Sequence, residues 1–128
     1  MKKKLDAVKT FHTAFKIGHR DSPKANLGIE KNLLRYKLMR EENEEYLEAA
    51  NANDLVEVGD ALGDMLYILC GTIIEHGFQH KIEEIFDEIQ KSNMSKLGAN
   101  GEPIYREDGK VLKGPNYFQP NIEKILGS

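Results

Sequence analysis

The 128-residue sequence has little cysteine and no long apolar run, and both absences limit what it can be. Cys70 is the single cysteine, so an internal disulfide and a thiolate zinc site are excluded. It lies among apolar residues, where it is expected to act as a small buried hydrophobe in a reducing compartment. Met1-Lys2-Lys3-Lys4 is followed by Leu5-Asp6-Ala7-Val8-Lys9, which predicts neither a signal peptide nor a membrane-spanning helix. The simplest expectation is a cytoplasmic protein with no membrane partner.

Basic charge is missing from the middle of the chain. Residues 41–80 contain ten acidic residues and no Lys or Arg, whereas residues 1–40 contain eleven Lys or Arg against three acids. The net charge of −3 argues against a nucleic-acid partner, since such domains usually carry a basic excess. Carboxylates that gather in a folded interior repel one another and lose hydration, so a cation must offset them. Mg²⁺ is the expected ion and Mn²⁺ the alternative, because both prefer oxygen ligands; an ordinary solvated acidic surface is the competing interpretation.

Hydrophobic periodicity predicts a single all-α domain over residues 1–128, with a helical core at 4–97 and a Gly/Pro-rich tail at 98–128. The predicted helices cover residues 4–17, 29–51, 55–75 and 78–97, with a last helical turn near 121–126. In the tail, Asp108-Gly109 is a strong two-residue hairpin signal. We therefore expect a short β-hairpin formed by residues 104–107 and 110–113, followed by an extended arm from Gly114 to Pro120.

Acidic residues of the second and third predicted helices are expected to lie level with each other. Glu42 and Glu45 occupy positions of the second helix where the periodic pattern asks for leucine. Glu57, Asp60 and Asp64 cluster on one face of the third helix. A short turn near residues 52–53 makes the two helices antiparallel neighbours, and Glu45 and Asp60 each stand about 10 Å from it at ~1.5 Å per residue. Four or five carboxylates can then converge on one point between the helices.

This arrangement suits metal-assisted hydrolysis of a phosphoanhydride. Mg²⁺ held by carboxylates binds substrate phosphates and polarises a phosphoryl group. A carboxylate outside the metal site, such as Glu41, could orient or deprotonate the attacking water. His12 lies on the apolar face of the first helix, where it either lines a base pocket or is a core histidine with one hydrogen bond.

The pattern Glu41-Glu42-x-x-Glu45 followed by Glu57-x-x-Asp60 resembles the EExxE…ExxD signature of the all-α nucleoside triphosphate pyrophosphohydrolases. That superfamily includes MazG, the dimeric dUTPases and phosphoribosyl-ATP pyrophosphohydrolase. The run from Leu62 to Tyr67 is similar to the MazG "LGDLL" run. The segments 93–98 and 108–115 resemble a MazG-like branch with a C-terminal tail.

The resemblance implies a four-helix-bundle-forming, MazG-like fold that hydrolyses an NTP or dNTP to the monophosphate and pyrophosphate. It implies Glu41 as the catalytic base and a homodimer or dimer of dimers. Relatives often have an acid where this chain has Ala61, so either Glu57/Asp60 or Asp60/Asp64 could be the working pair. The implied metal ligands are therefore Glu42, Glu45, Glu57, Asp60 and Asp64. The candidate substrate-binding residues are His12, Asn93, Lys96, Arg106, Lys110 and Lys113.

Other interpretations stay open for parts of this set. Lys96 could simply favour the end of its helix, and the tail lysines could belong to a solvated flap. For the whole chain, the alternatives are phosphoribosyl-ATP pyrophosphohydrolysis and a non-catalytic helical module for metal binding or oligomerisation.

Overall fold

A computed structural model describes residues 1–127 of the chain, and this part contains five helices and no sheet. The helices are α1 (Lys2–Ala14), α2 (Ile29–Asn51), α3 (Leu55–Glu75), α4 (Ile82–Met94) and α5 (Ile122–Leu126). The all-α prediction is confirmed. Within residues 1–127, no helix combines the length and the apolar character needed to cross a bilayer.

The chain forms two compact units, Met1–His80 and Lys81–Ser128. In the first unit, α1 and α2 both pack against α3. In the second unit, α5 packs against α4. The first unit thus has three helices, and both the single-domain organisation and the four-helix bundle stay predictions.

The turn between α2 and α3 has the local structure that its sequence favours. Asn53 adopts a left-handed backbone conformation with φ 54°, which Asn tolerates better than most residues. Asp54 is the N-cap of α3, and its side chain accepts a hydrogen bond from the backbone N–H of Glu57 at 3.1 Å. This tight connection returns α3 directly alongside α2.

A buried polar network joins the three helices of the first unit. Arg35 of α2 donates from Nε to Thr72 Oγ1 at 3.1 Å and from a terminal guanidinium nitrogen to the carbonyl of Ile68 at 2.9 Å. Glu75 of α3 lies 3.9 Å from Arg35, and Nδ1 of His12 in α1 lies 4.0 Å from Glu75. These contacts fix where α2 stands along α3, because the guanidinium binds two successive turns of that helix.

The loop between α1 and α2 is fastened to the end of α3. Arg20 donates from its backbone N–H to the carbonyl of Ile74 at 3.1 Å, and Lys24 donates to the carbonyl of His76 at 2.8 Å. Gly77 follows the end of the helix with φ 77°, and a Cβ there would collide with the carbonyl oxygen of Ser22. Glycine is therefore required at this close approach.

One face of α3 carries a leucine stripe, which its helical spacing predicts to be core, but this stripe stays half-exposed within residues 1–127. Leu62, Leu66 and Leu69 are 40–50% exposed, whereas Ile73 is buried. The helices α1 and α2 instead cover the face that includes Ala61, Gly71 and Ile74. Periodicity identifies an apolar face but not what covers it, and α3 is apolar on two sides.

The predicted C-terminal β-hairpin does not form as a pair of strands. Only one isolated antiparallel bridge forms, between Tyr105 and Val111, within residues 1–127. Its turn is held by the side chains of Arg106 and Asp108, and Asp108 also accepts from the N–H of Lys110 at 3.1 Å. Two short exposed segments with no further strand to pair with do not sustain a ladder.

The buried polar network predicts that alanine substitutions at two glycines of α3 have opposite effects on stability. Gly71→Ala should destabilise the protein by about 1–3 kcal/mol, because the new Cβ would lie 2.7 Å from the Arg35 guanidinium and 2.8 Å from His12 Nε2. Gly63→Ala is the matched control. No atom lies within 4 Å of its Cβ, so it should stabilise the helix by about 0.5–1 kcal/mol. Urea unfolding measures both, and equal effects would contradict the packing described for Gly71.

Candidate active site

Four predicted metal ligands, Glu42 and Glu45 of α2 and Asp60 and Asp64 of α3, lie near one another where these two helices pack. Along α2, Arg35 and Ala49 are buried and Glu42 is half-buried, whereas Glu45 is exposed, as are Asp60 and Asp64 on α3. On α3, Asp60 and Asp64 stand one turn apart and both face Glu42 closely enough to raise its pKa. The antiparallel pairing therefore brings the acids of the two helices together.

Glu42 is the most perturbed member of this group. Burial raises the pKa of its carboxyl to about 6, and Glu45, Asp64 and Asp60 add to the rise by proximity. One of its oxygens, Oε2, is buried and has no hydrogen-bond partner within residues 1–127. A buried carboxylate oxygen without a donor is costly unless a cation or a proton satisfies it.

A cavity of about 440 Å³ opens beside this group, towards the α2–α3 turn. Its acidic lining consists of Glu45, Glu48, Asp54, Glu57 and Asp60, and its floor is made of alanines 49, 52 and 61. Glu45 and Asp60 belong both to this cavity and to the surroundings of Glu42. Asp60 is thus common to the two predicted working pairs, Glu57/Asp60 and Asp60/Asp64.

The side chains at this site are of the chemical type that a hard divalent metal ion binds. All the convergent groups are carboxylates, which Mg²⁺ and Mn²⁺ prefer. Within residues 1–127, no three Asp, Glu, His or Cys side chains are arranged to enclose a metal ion as they stand. The fit to a metal ion therefore depends on Glu42, which has an unpartnered buried oxygen within the described residues and three further acids nearby.

The remaining predicted residues of the first unit lie outside this group. Glu41 is exposed and directly precedes Glu42. His12 is buried, and its Nδ1 donates to the carbonyl oxygen of Gly18 at 3.0 Å, next to Glu75. His12 thus belongs to the buried polar network of Arg35 and Glu75, and its contact with a nucleotide base stays a prediction.

The predicted substrate-binding residues of the second unit stay predictions too. Asn93 is exposed at the end of α4, and Lys96 is half-buried. Arg106 is paired with Asp108 in the tail turn, and Lys110 is exposed beside them. The ammonium of Lys113 lies 4.8 Å from the centre of the Tyr117 ring, a cation–π contact.

An all-helical fold with facing carboxylates agrees with the class of all-α pyrophosphohydrolases. The sequence profile of the phosphoribosyl-ATP pyrophosphohydrolase family matches residues 8–93, which is more than half of the chain. The chain belongs to this family, and it is a hydrolase that acts on phosphoanhydride bonds.

Solved structures agree with this assignment. A protein from Exiguobacterium sp. 255-15, described as a candidate NTP pyrophosphohydrolase, is 26% identical to this chain with a TM-score of 0.50. The match covers 94% of this chain and 90% of that one. No curated protein matches the sequence.

Two features near the site are not among the predictions from the sequence. Glu48 and Asp54 line the acidic cavity, and neither is among the predicted site residues. The small residues Ala49 and Ala61 were the available signal, because they allow close approach of the two helices. Arg35 was also missed, since no local pattern reveals a partner such as Thr72.

Glu42→Gln should stabilise the metal-free protein at pH 7.5 and change it little at pH 4.5. The pKa of Glu42 is about 6 in the folded protein against an ordinary 4.5, so the folded state holds the proton more tightly than the unfolded chain does. Ionisation of the Glu42 carboxyl therefore lowers the free energy of unfolding as the pH rises from 4.5 through 6, and this loss is complete above pH 6. Glutamine removes that loss, and urea unfolding in EDTA at both pH values measures it.

Glu44→Gln is the control for this experiment. Its carboxylate is exposed and bonds to Arg40 at 2.9 Å, so its removal should change stability by no more than about 0.5 kcal/mol at either pH. A Glu42→Gln variant that is less stable than wild type at pH 7.5 would contradict the described environment of Glu42.

Proposed function

We propose that the protein is a Mg²⁺-dependent nucleoside triphosphate pyrophosphohydrolase of the house-cleaning type. It would hydrolyse an NTP or dNTP to the monophosphate and pyrophosphate, with Mn²⁺ as an alternative ion. The supporting observation is Glu42, which has a buried carboxylate oxygen with no hydrogen-bond partner within residues 1–127 and lies close enough to Glu45, Asp60 and Asp64 for them to raise its pKa. A divalent cation bound among these acids would offset their mutual repulsion.

The metal ligands in this proposal are Glu42, Glu45 and Asp60, completed by Glu57 or Asp64. The ion would neutralise the triphosphate and polarise the phosphoryl group under attack. Glu45 and Asp60 line the same cavity from α2 and α3, so in this proposal they would hold the ion from the two sides. Their fixed position on long helices keeps the ligand geometry rigid.

Glu41 is the proposed base. It is exposed and adjacent in sequence to Glu42, so it is free to orient a water molecule and accept its proton. The water oxygen forms a new bond to the α-phosphorus, and the bond from that phosphorus to the bridging oxygen breaks. Pyrophosphate leaves with the bridging oxygen. Asn93, Lys96, Arg106, Lys110 and Lys113 stay the predicted substrate-binding residues.

Phosphoribosyl-ATP is the second candidate substrate. The family profile that matches residues 8–93 is that of phosphoribosyl-ATP pyrophosphohydrolase, which favours it. The Gly/Pro-rich tail beyond residue 97 favours the general NTP reaction, because the histidine-pathway enzymes are compact and would not need it. Membership of a hydrolase family counts against the non-catalytic alternative.

We also propose that the protein forms a homodimer, or a dimer of dimers, through the leucine stripe of α3. Leu62, Leu66 and Leu69 form a contiguous half-exposed face, which is costly to leave in water. At 100° per residue this stripe lies about half a turn of the helix away from Asp60 and Asp64. A second copy could therefore complete a bundle there without covering the acids, and Leu66→Glu should yield monomers in sedimentation velocity. A cytoplasmic location stays a prediction.

Glu45→Gln should abolish turnover, by roughly a hundred-fold or more, while the fold stays intact or becomes slightly more stable. The assay is pyrophosphate release from the common NTPs and dNTPs and from phosphoribosyl-ATP, with Mg²⁺ or Mn²⁺. Glu44→Gln, one residue away but paired with Arg40, serves as the control and should keep full activity. Undiminished activity in Glu45→Gln would remove Glu45 from the site, and a wild-type protein that cleaves none of these substrates would refute the proposal.

A further inference from the structure

Three aromatic rings of α1 and α3 form an exposed cluster, the aromatic ledge, made of Phe11, Phe15 and Tyr67. The centres of the Phe11 and Phe15 rings lie 4.5 Å apart, and the edge of Tyr67 meets Phe11 with centres 5.7 Å apart. All three rings remain partly exposed, and Phe15 is 67% exposed. Rings that contact one another and still present a face to solvent form a surface on which another flat ring can stack.

The ledge begins one helical turn from the acids of the candidate active site. Tyr67 follows Asp64 by three residues, which places it about 4.5 Å farther along α3 and within about 60° around the axis. It follows Asp60 by seven residues, which is two turns on the same side. Beyond Tyr67 this face is closed, because Gly71 lies under His12 of α1. The aromatic ledge therefore lies at the boundary between the exposed part of this α3 face and the part that α1 covers.

We propose that the base of the substrate nucleotide stacks on the aromatic ledge, and that the enzyme favours purine over pyrimidine nucleotides. This inference rests on the proposed function. A nucleotide with its phosphates at the α2–α3 acids has its base at the other end of the molecule. The ledge is an apolar surface that continues from those acids along the same helix face.

Stacking explains both the composition of the ledge and the expected preference. Every base has an aromatic face, so stacking distinguishes bases by ring area more than by hydrogen-bond pattern. The two fused rings of a purine cover more of the Phe11–Phe15 pair than a single pyrimidine ring can. The base is far from the reacting phosphorus, so the ledge should lower KM and leave kcat nearly unchanged.

Steady-state kinetics with the eight common NTPs and dNTPs tests this proposal. The wild type should have the higher kcat/KM with purine nucleotides. Phe15→Leu should raise KM for purines by about ten-fold, with a smaller effect on pyrimidines and little change in kcat. Phe15→Tyr keeps the ring and should restore the purine KM. Phe86→Leu is the matched control, because Phe86 of α4 is 68% exposed and belongs to no part of the proposed site.

Each other outcome overturns the proposal in a distinguishable way. A wild type that cleaves nucleotides but prefers pyrimidines refutes the ledge and leaves the proposed function intact. Equal losses for all bases in Phe15→Leu, or a loss that Phe15→Tyr does not restore, would show that Phe15 acts through packing alone. A wild type that cleaves no nucleotide refutes the proposed function, and the ledge proposal with it.

Discussion

The antiparallel register of α2 against α3 is the constraint on which the candidate site depends. Two devices set it: the short turn capped by Asp54, and Arg35, which binds Ile68 and Thr72 on successive turns of α3. From Arg35 to Glu42 is seven residues along α2. From Ile68 and Thr72 back to Asp60 and Asp64 is eight residues along α3, so the same register brings these acids level. A shift of one helical turn, about 5.4 Å, would separate them.

This register concentrates like charge around Glu42, whereas the charges around Glu75 are paired. The buried network around Glu75 carries opposite charges in contact, with Lys31 at 3.4 Å and Arg35 at 3.9 Å. Around Glu42, no Lys, Arg or His of residues 1–127 forms an ion pair with the acids, and burial, with a further contribution from Glu45, Asp64 and Asp60, raises the pKa of Glu42 to about 6. Paired charge around Glu75 thus holds the helices together. The like charge around Glu42, nearer the α2–α3 turn, favours the binding of a cation.

The sequence predicted α2 and α3 to the residue, because Gly28 and the Asn51–Asp54 turn give strong end signals. It placed the ends of α1 and α4 less well. Lys16, with φ 58°, stops α1 at Ala14, and residues 78–81 form a turn before α4 begins at Ile82. Local patterns also predicted that the acids of α2 and α3 lie at the same height. That height follows from the number of residues between each acid and the turn that joins the two helices. They could not predict the Arg35–Glu75 pair or the exposed leucine stripe, because both depend on which distant surfaces meet.

The central claim is that the acids of α2 and α3 share one cation. Anomalous diffraction from crystals soaked in Mn²⁺ tests it most directly, because Mn²⁺ has the same preference for oxygen and scatters anomalously. We expect a peak between the two helices, within coordination distance of Glu42, Glu45 and Asp60. Density that also touches Glu57 or Asp64 would identify the fourth ligand. Crystals with no peak between α2 and α3, and with these side chains turned to solvent at saturating Mn²⁺, would contradict the account.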